Sequence, residues 1–259
     1  GDQPIVVWED DSMGPVIYVK QFSAGTWGEL DGSATDYGIS DMDHMAMLPD
    51  VTVDGTGLPV VAWSADILGI GQIYIKRYNG TNWVEVSPGS ASVLDMPENA
   101  GLSQTAEYSK APAVVVGADG HPVVAWEQDV GMTTHIYLKR FDGSQWQEVG
   151  AGSASGNGVS NSADKAMHPR LGLGSDDQPV LAWAAGVGEA QEIYMLRFNG
   201  TDWVEVATGS ASGGGVSNSV ADSMYPALAI QPGGRYCVSW NEYGAMSEEI
   251  VVRCSDLTP

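Results

Sequence analysis

Five short apolar runs, each ending in tryptophan, recur along the chain: Ile5-Val6-Val7-Trp8, Val60-Val61-Ala62-Trp63, Val123-Val124-Ala125-Trp126, Val180-Leu181-Ala182-Trp183 and Cys237-Val238-Ser239-Trp240. They return about every 57 residues, a period that marks a repeat architecture rather than unrelated elements in series. Pro4, Pro59, Pro122 and Pro179 stand four residues before the first four of these tryptophans, and Tyr236 takes that place in the fifth copy.

Each copy carries further runs of the same kind. One follows the tryptophan: Val16–Phe22, Ile73–Tyr78, Ile136–Phe141, Ile193–Phe198 and Ile250–Cys254. Another opens on Trp27, Trp83, Trp146 or Trp203. A last one precedes the next copy: Pro49–Val53, Pro112–Val116, Pro169–Leu173 and Pro226–Ile230. All are short, alternating and rich in Val, Ile, Tyr and Trp, which is strand composition. Asn79-Gly80, Asp142-Gly143 and Asn199-Gly200 are hairpin turns, because a two-residue connection needs positive φ at its centre. Each copy is therefore a four-stranded antiparallel meander, with strands a, b, c and d in chain order. A single such unit cannot bury both faces, whereas a ring of them can.

The expected fold is all-β: one five-bladed β-propeller domain over residues 1–259, with repeats at approximately 1–47, 48–110, 111–167, 168–224 and 225–259. Counting finds 18 strands where five complete blades need 20. The first blade lacks its inner strand a and the last lacks its outer strand d. Three explanations are open: the chain is trimmed from a longer protein, the short blades are tolerated, or a neighbouring molecule completes them through the open edges. The long d–a links and the b–c connections fall on one face, which carries most of the variation, so a site is expected there.

Asp and Glu total 33 against 11 Lys and Arg, a net charge of −22. That charge excludes nucleic acid and anionic membrane surfaces as partners. No apolar run reaches the roughly 20 residues of a spanning helix, so no membrane insertion is expected.

The unit Gly-x-Pro-Val-Val-Ala-Trp, followed by Ile-Tyr-x-Lys-Arg-Phe-Asn-Gly-Thr-x-Trp-Val-Glu-Val and then Gly-Ser-Ala-Ser-Gly-Gly-Gly-Val-Ser-Asn-Ser, is clearest over residues 120–162 and 177–219. It resembles a repeat of secreted bacterial β-propeller proteins, similar in architecture to sialidase and Kelch propellers. The resemblance implies a propeller and an extracellular setting, and is nearly silent on activity.

Cys237 and Cys254 are equidistant from the centre of the Glu242–Glu249 segment between them. They therefore stand opposite each other across a hairpin, within disulfide reach, the alternative being two buried thiols. A bridge there implies an oxidising compartment and a secreted or cell-surface protein. Tyr37, His44, Tyr108, His168 and Tyr225 lie in or at the end of the long links. Their rings are candidate ligand-binding groups able to stack on sugars, set against simple packing between blades. Asp36, Asp41 and Asp43 cluster in the first link and are the candidate calcium ligands, with Asp164 and Asp222 marking related links, since oxygen-rich loops suit a hard cation; no cofactor is required. The repeated Gly-Ser-Ala-Ser links read either as ligand-presenting loops or as structural crossovers. Glu9, Asp10, Asp11, Asp66, Glu127, Asp129, Glu189 and Glu242 are acidic groups assigned to b–c loops. Arg77, Arg140 and Arg197 occupy one repeat position, which argues against a single arginine cluster for an anionic sugar. No nucleophile elbow, P-loop or His-Glu-x-x-His motif is present.

The sequence thus reads as a non-enzymatic extracellular propeller. Its expected role is surface binding of glycans, or self-assembly through the incomplete first and last blades. The alternative is a glycan-processing enzyme of glycoside hydrolase or sialidase type, using carboxylates on the long-loop face.

Overall fold

The computed structural model describes residues 3–12, 14–40, 45–92, 96–187, 190–231, 233–244 and 247–256. Eighteen strands form five antiparallel sheets among these residues. Blade 1 is β1 (Ile5–Asp10), β2 (Val16–Ser23) and β3 (Thr26–Gly28). Blade 2 is β4 (Met45–Val53), β5 (Pro59–Ile67), β6 (Ile70–Tyr78) and β7 (Trp83–Glu85). Blade 3 is β8 (Ser109–Val116), β9 (Pro122–Val130), β10 (Thr133–Phe141) and β11 (Trp146–Glu148). Blade 4 is β12 (Lys165–Leu173), β13 (Pro179–Val187), β14 (Ala190–Phe198) and β15 (Trp203–Glu205). Blade 5 is β16 (Asp222–Ile230), β17 (Arg235–Tyr243) and β18 (Glu248–Asp256). The fold is a five-bladed β-propeller whose first and last blades have three strands each, as the repeat count predicts.

The chain divides into two compact units. One is Gly1–Gln128 with Phe141–Trp146; the other is Asp129–Arg140 with Gln147–Pro259. In the first unit, β5 is buried at eight of its nine residues, because both faces of a middle strand meet other strands. That is why strand b reads as a continuous apolar run. Trp63 lies opposite Tyr74, and Trp183 opposite Tyr194, across the b–c pairs. Ring centroids in both pairs are 5.9 Å apart.

Two sequence expectations change. Most of the acidic residues assigned to b–c loops lie on strands: Glu9 and Asp10 on β1, Asp66 on β5, Glu127 and Asp129 on β9, Glu242 on β17; Asp11 lies in the β1–β2 connection, and Glu189 is outside the described residues. Strands b and c stay paired to their ends, as in Asp66↔Gly71 and Ile67↔Ile70. Leu68 and Gly69, at φ 56° and 87°, make the turn, a primed geometry that suits hairpin twist. The length and variety therefore sit in the d–a crossovers.

The second change concerns the prolines of strand a. Leu48-Pro49, His168-Pro169 and Tyr225-Pro226 each oppose a single tryptophan (Trp63, Trp183 and Trp240), where the a–b register shifts. In blade 3 the shift falls at Ala111-Pro112. This is a β-bulge, which admits proline into a paired strand. The residue before each proline is left-handed: Leu48 at φ 53°, Ala111 at 50°, His168 at 57° and Tyr225 at 54°. His168 and Tyr225 thus lie within strands β12 and β16, not at loop ends.

The crossovers are structural. Ser33, Ser90, Ser153 and Ser210 are buried, and each hydroxyl donates to a strand-c carbonyl: Val19, Ile75, Leu138 or Met195. The same oxygens accept the N–H groups of Leu30, Val86, Val149 and Val206. Farther along, Gly38, Gly101, Gly158 and Gly215 are left-handed, and a Cβ on any of them would sit 2.2–2.3 Å from a strand-c carbonyl oxygen. Only glycine fits that approach. The repeated Gly-Ser-Ala-Ser signature therefore clamps each crossover to its own blade.

Candidate functional site

The geometry that stands out within the second unit is the pair of adjacent bulges. The His168 and Tyr225 rings lie with centroids 4.5 Å apart and planes tilted by 39°. Tyr225 is 48% exposed. A non-glycine residue held at positive φ stores backbone strain, and such residues concentrate at functional sites. Beside Tyr225 lies a hollow of about 660 Å³ lined by Asp222, Met224 and Tyr243. Two tyrosines and an imidazole next to a carboxylate make a surface that can stack on a sugar face and hydrogen-bond its hydroxyls.

The carboxylates here have distinct duties. Asp222 accepts the Gln191 N–H at 2.9 Å. Glu192 accepts the Ser219 N–H at 3.1 Å and the Ser217 hydroxyl. Glu242 accepts the Ser219 hydroxyl at 3.0 Å and the Trp240 indole N–H at 3.1 Å. Glu192 and Glu242 thereby pin the end of one crossover.

The remaining described candidates have surroundings of their own in the first unit. Tyr108 donates to Asp66 at 3.2 Å and covers Gly71, so it packs onto the β5–β6 hairpin. Lys110 stands 5.9 Å from its ring centroid. Tyr37 is exposed in the first crossover, beside Asp36, whose carbonyl accepts the Tyr18 hydroxyl at 2.7 Å. Asp41, Asp43 and His44 lie outside the described residues. Among the described residues no group of three or more His, Cys, Asp or Glu converges as metal ligands would.

Cys237 and Cys254 are directly paired in the β17–β18 register and form a disulfide. Sequence reasoning named Asp222 only as a link aspartate, whereas it opens strand β16, and did not anticipate Tyr243. Their one signal is adjacency to the Tyr225-Pro226 bulge, which appears only when the register is known. No helix among the described residues is long and apolar enough to cross a membrane.

No protein-family model matches this sequence, and no curated protein matches it. Among solved structures, the chain is similar to an endo-arabinase from Bacteroides thetaiotaomicron VPI-5482, at 12% identity and TM-score 0.55, over 98% of this chain and 90% of that one. It is similar to an ulvan lyase of polysaccharide lyase family PL25 bound to -[GlcA(1-4)Rha3S]-, at 10% identity and TM-score 0.58, over 95% of this chain and 61% of that one. It is also similar to an endo-1,5-alpha-L-arabinanase from Thermotoga petrophila RKU-1, at 12% identity and TM-score 0.51, over 98% of this chain and 68% of that one. The fold is thus one shared with glycan-processing enzymes, and the likeness is of fold alone.

Proposed function

We propose that this protein is a secreted propeller that takes a neutral polysaccharide on the rim of its second unit. The observation that carries the reading is the His168–Tyr225 ring pair, raised on two strained bulges beside Asp222 and Tyr243. The glycan-processing neighbours support it. Net charge selects among glycans: a chain at −22 repels sulfated or uronic acid polymers and leaves neutral ones unopposed. Secretion is part of the proposal and is supported by the Cys237–Cys254 bridge.

Affinity electrophoresis against arabinan and ulvan tests this. The chain is expected to be retarded by arabinan and not by ulvan. Tyr225→Ala is expected to weaken retardation by about five-fold or more, a loss typical of removing one stacking ring. Ala111 occupies the equivalent bulge in blade 3, so alanine is compatible with that backbone. Retardation by ulvan alone, by neither polymer, or equally with the variant overturns the reading.

A second reading, hydrolysis of the bound glycan, is favoured by the two arabinanase neighbours. Hydrolysis needs a carboxyl to protonate the leaving oxygen and a carboxylate to act on water or the sugar. Glu192 and Glu242 are committed to the crossover, so Asp222 is the group to test. Reducing ends released from arabinan and lost in Asp222→Asn would establish cleavage. Binding without release would leave a binding module.

A further inference from the structure

We propose that the last blade is a docking site for a fifth crossover segment from outside the described residues: an extended Trp-Val-Glu strand leading into Gly-Ser-Ala-Ser and a Gly-Val-Ser turn. The proposal is independent of the polysaccharide reading.

In the first four blades, strand c carries an apolar pair one residue apart: Ile17 and Val19, Ile73 and Ile75, Ile136 and Leu138, Ile193 and Met195. All eight are at most 3% exposed. Each pair is covered by its own crossover, which also bonds to the strand backbone: the N–H groups of Val19, Ile75, Leu138 and Met195 donate to the carbonyls of Ser33, Ser90, Ser153 and Ser210 at 2.7–2.9 Å. The same positions in blade 5 are Ile250 and Val252, exposed by 68% and 60%. Two large aliphatic groups side by side on a sheet edge mark an interaction surface.

A second observation points to the same occupant. The outer-strand tryptophan of blades 2, 3 and 4 reaches the crossover of the blade before it. Trp83 donates to the Leu30 carbonyl at 2.8 Å, Trp146 to the Ser87 hydroxyl at 3.1 Å, and Trp203 to the Val149 carbonyl at 2.7 Å. The next slot in the series begins at Val206. It is a cavity of about 490 Å³ whose lining includes Met195, Val206, Ser210, Tyr236, Val238 and Arg253. Among the described residues blade 5 has no outer strand, and its one tryptophan, Trp240, is on β17, so no outer-strand tryptophan enters the slot.

Charge completes the match. In blade 2, Lys76 stands opposite Glu85 of the outer strand. Lys76 also donates to the Ile39 carbonyl of blade 1 at 2.7 Å. Arg253 occupies the Lys76 position in blade 5 and donates to the equivalent carbonyl, that of Val216. A Trp-Val-Glu strand on the β18 edge would set its glutamate opposite Arg253, as Glu205 stands opposite Leu196 in blade 4. The four crossovers among the described residues already cover their own blades, so a second copy could donate one of them only by opening a blade. The occupant is therefore a fifth segment of the same chemistry, seated by strand addition.

The probe is a synthetic peptide with the sequence of residues 199–219, added to the full chain. Calorimetry is expected to give saturable one-to-one binding, and hydrogen exchange is expected to slow at Ile250 and Val252. Alanine in place of the peptide tryptophan should weaken binding at least ten-fold. Arg253→Glu in the chain should weaken it too, with partial rescue by a peptide carrying arginine for the glutamate. Val252→Asp, at an exposed position, should abolish it without unfolding the chain. Absence of saturable binding, equal binding by the alanine peptide, or protection confined to other blades overturns the proposal.

Discussion

The bulge N–H of strand a is a donor that each blade must satisfy. In the first unit the residue after the strand-b tryptophan of the preceding blade does so. The Leu48 N–H donates to Glu9 at 3.2 Å, and the Ala111 N–H donates to the Ser64 hydroxyl at 2.9 Å. In the second unit, Ala184 follows Trp183 and has no side-chain acceptor to offer the Tyr225 bulge. Ala184→Ser recreates the Ser64 arrangement. It is expected to stabilise the protein by about 0.5–1 kcal/mol, the net worth of one such bond. The denaturation midpoint checks this, and a fall would mean the hydroxyl meets no donor. A parallel economy governs the tryptophans. Trp126 and Trp240 donate to Gln128 and Glu242, two residues on. Trp63 and Trp183 have Ala65 and Ala185 there, and their indole nitrogens find no hydrogen-bond partner among the described residues. The burial of these tryptophans is legible from an apolar run. Which of them is hydrogen-bonded rests on a residue type two positions away, which no periodicity signals.

At the scale of the element, the crossover is the unit of stability, and a glutamate at the end of the outer strand closes it. Backbone N–H groups of Gly209 and Ala211, with the Ser212 hydroxyl, hold Glu205 below its ordinary value of 4.5. For Glu148, desolvation acts in the other direction, but hydrogen bonds from Ser155, Ala154 and Gly152 prevail and lower it as well. A carboxyl whose folded pKa is depressed contributes stability above its unfolded pKa. That contribution is lost as pH falls below 4.5 and through the depressed value. The protein is therefore expected to lose stability on acidification through that window. Glu205→Gln should be less stable at neutral pH and should respond less steeply to acid. Thermal midpoints at pH 7 and along a descent from pH 5 to 3 measure both, and an unchanged slope would remove Glu205 from the account. The hairpin turns were legible because Asn-Gly and Asp-Gly carry their backbone geometry in their composition. The b–c turns were not, because Leu68-Gly69 looks like part of an apolar stretch, and only the pairing of Ile67 with Ile70 reveals it as a turn. The crossover serines were visible as a repeat. Their role was not, since a serine that clamps a strand and one that presents a hydroxyl to a ligand look alike in sequence.

At the scale of the whole molecule, the repeat fixes what each blade should contain, and the ends show where it departs. Trp27 is 50% exposed, whereas its equivalents Trp83, Trp146 and Trp203 are half-buried or better. Among the described residues blade 5 has three strands, and no crossover there clamps the β17–β18 hairpin as one clamps β2, β6, β10 and β14. The Cys237–Cys254 bridge joins directly opposed residues of that hairpin, 17 positions apart in sequence. Its position was readable from symmetry about the hairpin centre, and its purpose becomes clear only beside the exposed Ile250 and Val252. Closing a loop of this size restrains the unfolded chain by about 3 kcal/mol in the chain-entropy account. Reduction, or Cys237→Ala with Cys254→Ala, is therefore expected to lower the thermal midpoint of the second unit by several degrees and to speed hydrogen exchange along β18 before β14. Calorimetry with and without reductant, paired with exchange read strand by strand, checks both. A midpoint unmoved by reduction would mean that pairing with β16 and packing against blade 4 suffice to hold the last blade. The bridge would then act after folding, keeping the β18 edge open and straight for the strand it is proposed to receive.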